Sequence, residues 1–336
     1  MEYRILGKTG LKISSLGFGG IPIQRIDAAG TRKLVLRMKE AGINYIDTAR
    51  GYTVSEEYLG EALEGIREDF IIATKSMART KEAMAADIEI SLKNLRTDYI
   101  DLYQVHNATL PQLEQVMAPG GALEALLEAK AAGKIGHIGL TAHGLEVFEK
   151  ALELDWVETF MFPYNIVESQ GEELIKACME KNIGFIVMKP LAGGAIEDAT
   201  LAIRYCLRNP AVTVVIPGMA EEKELQQNLA AANDASPLSE EELAKCAAIR
   251  KELGTQFCRR CNYCQPCAVG INISGCFLFQ GYLNRYGLED WARSRYQSTI
   301  PVKASACIEC GVCEGRCPYN LPIRQMLKKV AADFGE

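Results

Sequence analysis

Several features are scarce in this chain, and each absence excludes a class of protein. No apolar run approaches the ~18 residues that span a membrane. Charged residues are scattered through the amino-terminal segment, where a signal peptide would have an apolar core. The net charge of −6 lacks the excess of positive charge that is typical of nucleic-acid-binding proteins. We therefore expect a cytoplasmic protein that binds neither membranes nor nucleic acid.

Cysteine is almost missing from the first three quarters of the chain and is dense in the last quarter. Only Cys178, Cys206 and Cys246 precede residue 258, and the other nine of the 12 cysteines lie between Cys258 and Cys317. In a cytoplasmic chain, clustered cysteines indicate metal binding rather than disulfides. The cysteine distribution therefore predicts a metal-binding region at the carboxyl end.

The part of the chain before the cysteines has a regular alternation of apolar patterns. After a short hairpin in residues 1–14, eight strand-like runs alternate with eight helical patterns over about 220 residues, the period of a (β/α)₈ barrel. The strand-like runs are 15–18, 43–47, 70–74, 99–105, 135–141, 159–163, 184–188 and 213–217. The helical patterns are 28–41, 55–65, 81–95, 121–132, 145–154, 171–181, 199–208 and 221–231. A doubly wound open sheet is the alternative, but no Gly-x-Gly-x-x-Gly fingerprint follows the first strand, which favours the α/β (β/α)₈ TIM barrel.

Polar side chains follow the second, third and fourth strand-like runs. Asp47, Lys75 and His106 stand at these strand ends, and Tyr52 lies in the loop after Asp47. In a barrel such ends are neighbours on one face. A tyrosine with a pKa near ~10 is a poor acid at neutral pH, and a nearby ammonium lowers that pKa.

These residue types suit the reduction of a carbonyl group by hydride. Tyr52 would supply the proton that the developing alkoxide needs, and His106 could orient the substrate oxygen. Asp47 would hold Lys75 in its charged form. Each residue also has a purely structural interpretation, since a buried lysine can serve only as a salt-bridge partner and a single histidine can serve only in packing.

The motifs around these positions resemble a known family. Residues 47–52 read Asp-Thr-Ala-Arg-Gly-Tyr, residues 73–75 read Ala-Thr-Lys, and residues 102–106 read Leu-Tyr-Gln-Val-His. Residues 1 to about 232 thereby resemble the aldo-keto reductase superfamily, which implies a barrel and NAD(P)H-dependent interconversion of a small-molecule carbonyl and its alcohol. The catalytic tetrad that the resemblance implies is Asp47, Tyr52 as general acid, Lys75 and His106.

The resemblance also implies a nicotinamide dinucleotide, NAD or NADP. Its expected contacts are Thr141, Lys189, Leu191, Pro217, Gly218, Met219, Gln227 and Asn228. Three positions depart from the family: its Ser-Asn pair is Thr-Ala at 141–142, its glutamine is Met161, and 188–191 holds no aromatic residue. The Lys/Arg pair usual for a 2′-phosphate is missing, and only Lys223 is near.

Two cysteine runs carry the most specific signal in the chain. The downstream run has the C-x₂-C-x₂-C-x₃-C-P spacing of bacterial ferredoxins, in which the fourth cysteine often ligates the other cluster. The upstream run has C-x₂-C-x₂-C-x₂-C spacing followed by alanine. We expect cluster one on Cys258, Cys261, Cys264 and Cys317, and cluster two on Cys307, Cys310, Cys313 and Cys267. A zinc ribbon is the alternative.

We therefore expect an iron–sulfur oxidoreductase with three segments. Residues 1–235 form the barrel, 236–254 a linker and helix, and 255–336 a smaller, mostly helical ferredoxin-like domain with two [4Fe–4S] clusters. Electrons could pass between the clusters and a ferredoxin-type partner. A nicotinamide moves two electrons whereas a cluster moves one, so coupling needs a flavin or a radical-forming substrate, and no flavin motif is visible. Two alternatives stay open: purely structural clusters, or a barrel that is only the scaffold of an electron-transfer protein.

Overall fold

Parallel strands organise the amino-terminal part of the chain. The computed structural model describes all residues from Met1 to Glu336. A hairpin of β1 (Tyr3–Ile5) and β2 (Lys12–Ser14) precedes one sheet of eight parallel strands in sequence order. These strands are β3 (Phe18–Gly19), β4 (Tyr45–Asp47), β5 (Ile71–Ser76), β6 (Ile100–Val105), β7 (Ile135–Thr141), β8 (Thr159–Pro163), β9 (Gly184–Met188) and β10 (Val214–Val215).

The sheet closes on itself into a barrel. The Gly17 N–H donates to Val215 O over 2.9 Å, and the Gly19 N–H donates to Pro217 O over 3.0 Å. Leu16 pairs with Val215 as a parallel neighbour. Closure pairs the two edges that an open sheet would leave exposed. The predicted (β/α)₈ barrel is thus confirmed, and the doubly wound alternative is wrong.

Helices alternate with the strands. They are α1 (Ala28–Glu40), α2 (Ser55–Ala62), α3 (Lys81–Asn94), α4 (Leu110–Met117), α5 (Ala122–Ala131), α6 (Leu145–Ala151), α7 (Glu172–Glu180), α8 (Ala199–Leu207) and α9 (Glu222–Asn233). The apolar periodicity did not predict α4. This helix has eight residues and a proline in its first turn, where proline is tolerated, and a Thr109–Gln112 capping box begins it.

The hairpin covers the amino ends of the strands. Leu6 and Ile13 are fully buried in one apolar cluster with inward-facing residues of six strands. Gly7 has φ +52°, and a Cβ there would lie 2.2 Å from the amide nitrogen of Gly184, the first residue of β9. Only glycine allows this approach. Because the hairpin fills the amino end, the carboxyl ends are left for the functional site.

The chain divides into two compact units. The first comprises Met1–Leu191 and Asp198–Leu238, and the second comprises Ala192–Glu197 and Ser239–Glu336. The second unit has no strand, and its helices are α10 (Glu240–Leu253), α11 (Ile273–Arg285), α12 (Glu289–Thr299), α13 (Val312–Gly315) and α14 (Ile323–Phe334). The predicted helical character of this region is confirmed. No helix in the chain combines the length and the apolar character needed to cross a bilayer.

Two helices of the second unit begin and persist for different reasons. Helix α11 begins at Ile273, where Asn272 caps it by accepting from the Gly275 N–H. Helix α12 was not predicted, since its sequence is polar on most faces and only Ala292 and Tyr296 are buried. Packing against neighbouring helices, rather than local periodicity, therefore defines α12.

Candidate active site and cysteine clusters

Three buried side chains are joined by hydrogen bonds at the carboxyl ends of β4, β5 and β6. The Lys75 ammonium donates to Asp47 Oδ1 over 2.5 Å and to Thr48 O over 2.7 Å. Gln104 Nε2 donates to Asp47 Oδ2 over 3.2 Å. Asp47 is 3% exposed and Lys75 is 2% exposed. The carboxylate therefore fixes the ammonium from one side and is itself fixed from the other.

The electrostatics of this pair are dominated by burial. Burial raises the pKa of Asp47, and the nearby Lys75 charge opposes that rise. Burial lowers the pKa of Lys75, and Asp47 opposes that fall. Each charge thus depends on its partner, because an isolated ion at this depth would be strongly disfavoured.

Tyr52 lies next to the ammonium and to His106. The Lys75 Nζ is 4.9 Å from the centroid of the Tyr52 ring. The Tyr52 and His106 rings meet edge to face, with centroids 6.1 Å apart. The Tyr52 loop is held by its own turn, in which the Tyr52 N–H donates to Ala49 O over 3.0 Å. The structure thus brings all four predicted tetrad residues together.

His106 is held in a neutral state. Burial keeps the pKa of His106 well below its ordinary value, and the charges of Lys75, Arg79 and Lys189 lower it further. Its Nδ1 is buried and has no hydrogen-bond partner. An unpaired lone pair costs less than an unpaired N–H, so the proton belongs on Nε2. The imidazole can therefore donate a hydrogen bond to a substrate oxygen.

A buried carboxylate that the sequence analysis did not single out supports β5. Glu56 of α2 is 1% exposed and accepts hydrogen bonds from Thr74 Oγ1 and Ser91 Oγ, each over 2.8 Å. Arg50 Nη1 donates to the same carboxylate over 2.7 Å. Thr74 precedes Lys75, so this network anchors the strand that carries the ammonium. Gln104 was also missed, although a polar residue inside an apolar strand is a recognisable signal.

The predicted nicotinamide contacts fit the cofactor poorly at its carboxamide end. Thr141 Oγ1 already accepts a hydrogen bond from the Asn107 N–H over 2.8 Å. Ala142 offers no polar side chain, and Met161 is buried in the apolar core of the barrel. The Thr141 hydroxyl, whose O–H can still donate, is thus the only polar donor among these three side chains. Lys189 follows β9 with φ +56°, and Asn165 Nδ2 donates to its carbonyl over 2.9 Å.

The remaining predicted contacts lie after β9, after β10 and on α9. Pro217 and Met219 are buried, Gly218 is exposed, and Leu191 is partly buried. On α9, Gln227 is exposed and Asn228 is buried. At the start of α9 the Glu224 carboxylate accepts from the N–H groups of Ala220 (2.7 Å) and Glu221 (3.0 Å).

Four cysteines from both runs line one cavity in the second unit. They are Cys258, Cys261, Cys264 and Cys317. Burial raises the pKa of Cys264 to about 12, and the neighbouring thiols Cys258 and Cys261 add to that rise. Thiolates this close together need a bound cation, so the cavity fits a metal cluster. The predicted ligands of cluster one are therefore together.

The predicted ligands of cluster two lie in less enclosed positions. Cys313 is buried with Cys307 as a neighbour, and Cys267 packs on the same apolar core as Cys307. Cys310 is exposed. No group of three or more His, Cys, Asp or Glu side chains is arranged to hold a single metal ion. None of the 12 cysteines forms a disulfide.

Comparison with known proteins agrees with this architecture. The model of the aldo/keto reductase family matches residues 15–200 and 197–251, and that of the 4Fe–4S dicluster domain matches residues 257–322. The chain therefore belongs to the aldo/keto reductase family and carries a carboxyl-terminal 4Fe–4S dicluster domain.

Individual relatives match the barrel part of the chain. L-galactose dehydrogenase of Arabidopsis thaliana is 28% identical, over 74% of this chain and 94% of its own. The uncharacterized oxidoreductase YqkF of Bacillus subtilis is 27% identical, over 72% and 94%. The holo structure of aldo-keto reductase AKR11C1 from Bacillus halodurans has a TM-score of 0.64 at 27% identity, and covers 74% of this chain and 96% of its own. About a quarter of this chain lies outside each of these similarities.

Proposed function

We propose that this protein interconverts a small-molecule carbonyl compound and its alcohol in the barrel, with electrons able to pass through two [4Fe–4S] clusters. The observation that carries the proposal is the convergence of Tyr52, Lys75, Asp47 and His106 at the carboxyl ends of neighbouring strands. In a (β/α)₈ barrel this face is where catalysis occurs. The catalytic roles and the cluster ligands named above are part of the same proposal.

The residues of the site have two roles, proton transfer and orientation of the substrate oxygen. Tyr52 gives its phenolic proton to the substrate oxygen as that oxygen gains negative charge. The ammonium of Lys75, 4.9 Å from the ring centroid, favours the phenolate that results. His106 donates from Nε2 to the same oxygen and fixes its direction. A nicotinamide dinucleotide would be held by Pro217, Gly218 and Met219 after β10 and by Asn228 of α9, and it would supply hydride to the carbonyl carbon.

We also propose NADH rather than NADPH as the nucleotide. The segment that the family resemblance assigns to the dinucleotide leads into α9, whose first turn contains acidic residues. The Glu224 carboxylate already occupies the amides of Ala220 and Glu221. Lys223 is paired with Glu221 over 2.9 Å. An additional phosphate would meet carboxylates here, which disfavours the 2′-phosphate of NADPH.

The clusters imply an electron-transfer partner and a reducing compartment. A ferredoxin-type protein would exchange single electrons with the clusters, and a flavin or a radical-forming substrate would bridge single electrons and hydride. Iron–sulfur ligation by free thiolates and the lack of disulfides support a cytoplasmic location.

The proton-donor role is tested with Tyr52→Phe. We expect kcat/KM for carbonyl reduction to fall by about 10²–10⁴-fold, because the general acid is lost. Iron content and the visible spectrum should stay unchanged. Tyr99→Phe is the matched control, since Tyr99 is 40% exposed at the amino end of β6. Wild-type turnover in Tyr52→Phe would contradict the proposed role.

The nucleotide and the electron path are tested anaerobically. NADH and NADPH are titrated separately to obtain Kd values, and the broad visible absorption of the clusters is followed without a carbonyl substrate. Bleaching by NADH would show that electrons reach the clusters. Binding without bleaching would favour structural clusters. Failure of both nucleotides to bind would favour the electron-transfer scaffold, for which the missing carboxamide donors at 142 and 161 are the supporting observation.

A further inference from the structure

Arg79 is a buried cation that forms no ion pair. It lies in the loop between β5 and α3 and is 9% exposed. Its Nη2 donates to His106 O over 2.7 Å and its Nη1 to Ala78 O over 3.2 Å, while its Nε has no partner. Burial lowers the pKa of Arg79 to about 10, so it stays charged at neutral pH. Because an uncompensated buried charge is costly, its presence beside His106 calls for a role.

The Arg79 contact completes the fixation of the His106 main chain. The His106 N–H donates to Ser76 O over 2.8 Å, and the His106 carbonyl accepts from Arg79. Ser76 directly follows Lys75, so one short segment holds both ends of the His106 residue and carries the candidate ammonium. The imidazole Nδ1 makes no hydrogen bond. The orientation of the ring therefore depends on these main-chain contacts and on packing.

Arg79 also joins two loops that carry site residues. Its Nη2 lies 3.4 Å from Asn107 O and 3.4 Å from Oε1 of Gln112, which completes the capping box of α4. The Ala122 N–H donates to Arg79 O over 3.1 Å. The loop after β5 is thereby attached to the loop after β6 and to the start of α5. Loss of the guanidinium would loosen His106 relative to Lys75.

We propose that Arg79 is a positioning residue, which holds the His106 main chain so that the imidazole stays directed at the substrate oxygen. This inference rests on the carbonyl chemistry proposed above. Arg79 does not touch the substrate, because its polar atoms are engaged with main-chain carbonyls or enclosed.

The positive charge of Arg79 also affects the protonation of the His106 imidazole. The cations that act on His106 are Lys75 from β5, Arg79 from the next loop and Lys189 after β9. The other titratable groups of the site are Asp47 and Tyr52. Removing one cation should make His106 easier to protonate, and a protonated imidazole is a different hydrogen-bonding group from the neutral one.

The kinetic test compares Arg79→Met and Arg79→Lys with Arg67→Met. Arg67 is the control, since it also joins segments next to β5 and β6 through Phe70 O (2.7 Å) and Tyr99 O (2.9 Å), but at their amino ends and with an ion pair to Asp101 (2.7 Å). We expect Arg79→Met to lower kcat by about 10–100-fold with little change in KM, because misplacement of an orienting group costs rate rather than binding. Arg79→Lys should lose less, and Arg67→Met should change only the melting temperature.

A measurement without turnover separates this inference from the proposed function. The chain has 3 histidines, so their NMR titrations can be assigned with single substitutions. In Arg79→Met the pKa of His106 should rise above its wild-type value. If Arg79→Met matches Arg67→Met in both kcat and the His106 titration, Arg79 is only structural. If the wild type turns over no carbonyl substrate, the proposed function fails and the titration alone decides the role of Arg79.

Discussion

The two compact units reach their functional geometry by different means. In the first unit, eight paired strands and an apolar core bring polar side chains together at strand ends, and hydrogen bonds between those side chains then fix them. The second unit has no strand, fewer buried apolar residues than the first, and thiols that converge on a cavity. Thiolates this close together need a bound metal, so the free energy of cluster binding also stabilises the fold of the second unit. We therefore expect the barrel to be formed without its cofactor and the second unit to depend on iron.

The chain offers a built-in probe for each unit. Trp156 lies in the first unit and Trp291 in the second, and they are the 2 tryptophans of the chain. Replacing either one with phenylalanine leaves a fluorescent reporter for the other unit. In these single-tryptophan backgrounds the unfolding of each unit is followed separately.

Loss of a cluster-one ligand should have the largest effect, and it should be confined to the second unit. Cys264→Ala should lower the iron content from about eight to about four atoms per chain and remove the cooperative unfolding of the Trp291 reporter. The Trp156 transition should persist. Iron analysis and urea unfolding provide the measurement.

The proposed ligand sets cross between the two cysteine runs, so Cys317 should belong to the same cluster as Cys264. Cys317→Ala should remove the same cluster as Cys264→Ala. The remaining cluster, once reduced, should therefore give the same electron paramagnetic resonance spectrum in both variants. Cys276→Ala is the matched control, because Cys276 is equally buried but outside the cavity. If Cys317→Ala removes the other cluster instead, the crossed assignment is wrong. If the Trp156 transition is lost as well, the units are not energetically separate.

Breaking the buried ion pair of the barrel should have the next largest effect. Lys75→Met removes the charged partner of Asp47 at 3% exposure, so the carboxylate must either stay charged without an ion pair or take up a proton, and the free energy of unfolding should fall by about 3–5 kcal/mol. Urea unfolding with the Trp156 reporter measures it. Lys150→Met, which removes an exposed pair with Glu153, should leave the midpoint nearly unchanged. Equal midpoints for both variants would mean that the buried pair contributes no more than a surface pair.

The barrel should also have an acid-sensitive contact at its amino end. Burial alone would raise the pKa of Glu158, but hydrogen bonds from His137, Lys130 and the Ile138 N–H lower it to about 2 from 4.5. A lowered carboxyl pKa stabilises the fold above about pH 4.5, and this contribution is lost as the pH falls toward 2. After allowing for solvent screening, this contact contributes about 1–2 kcal/mol to the free energy of unfolding.

Glu158→Gln tests this contact. The variant should unfold more easily than the wild type at pH 6, and the difference should shrink at pH 3, as measured by urea midpoints of the Trp156 reporter. Glu149→Gln, at an exposed position on α6, serves as the control. A difference that is constant between pH 6 and pH 3 would contradict the linkage.

The smallest effect concerns the helix at the junction of the two units. Ser239 Oγ accepts from the Glu242 N–H over 3.2 Å, and the Ser239 N–H donates to Glu242 Oε2 over 2.7 Å, so the two residues form a capping box at the start of α10. Ser239→Ala should cost about 1 kcal/mol. The division into compact units assigns α10 to the second unit, whereas the aldo/keto reductase match extends to residue 251 and would assign α10 to the first. If Ser239→Ala shifts the unfolding transition of Trp291, α10 belongs to the second unit. If it shifts the transition of Trp156, α10 belongs to the first unit.

Local patterns were sufficient for much of the barrel. The predicted bounds of β7, β8 and β9 agree with the structure, because buried parallel strands are continuous apolar runs between turns. Asp47, Lys75 and His106 could be found because a polar residue that ends such a run is visible in the sequence. Helices α4 and α12 could not, since one is short and the other is polar on most faces.

The ferredoxin spacing was equally visible, because cysteines at fixed short intervals must approach a common centre. The sequence by itself thus determined the barrel, the strand-end residues and the cysteine runs, all of which depend on neighbours along the chain. Only the tertiary structure decided what Gln104, Glu56 and Arg79 do, because their partners come from distant segments. It also decided that His106 is neutral, since burial and the surrounding cations, not the residue type, control its proton.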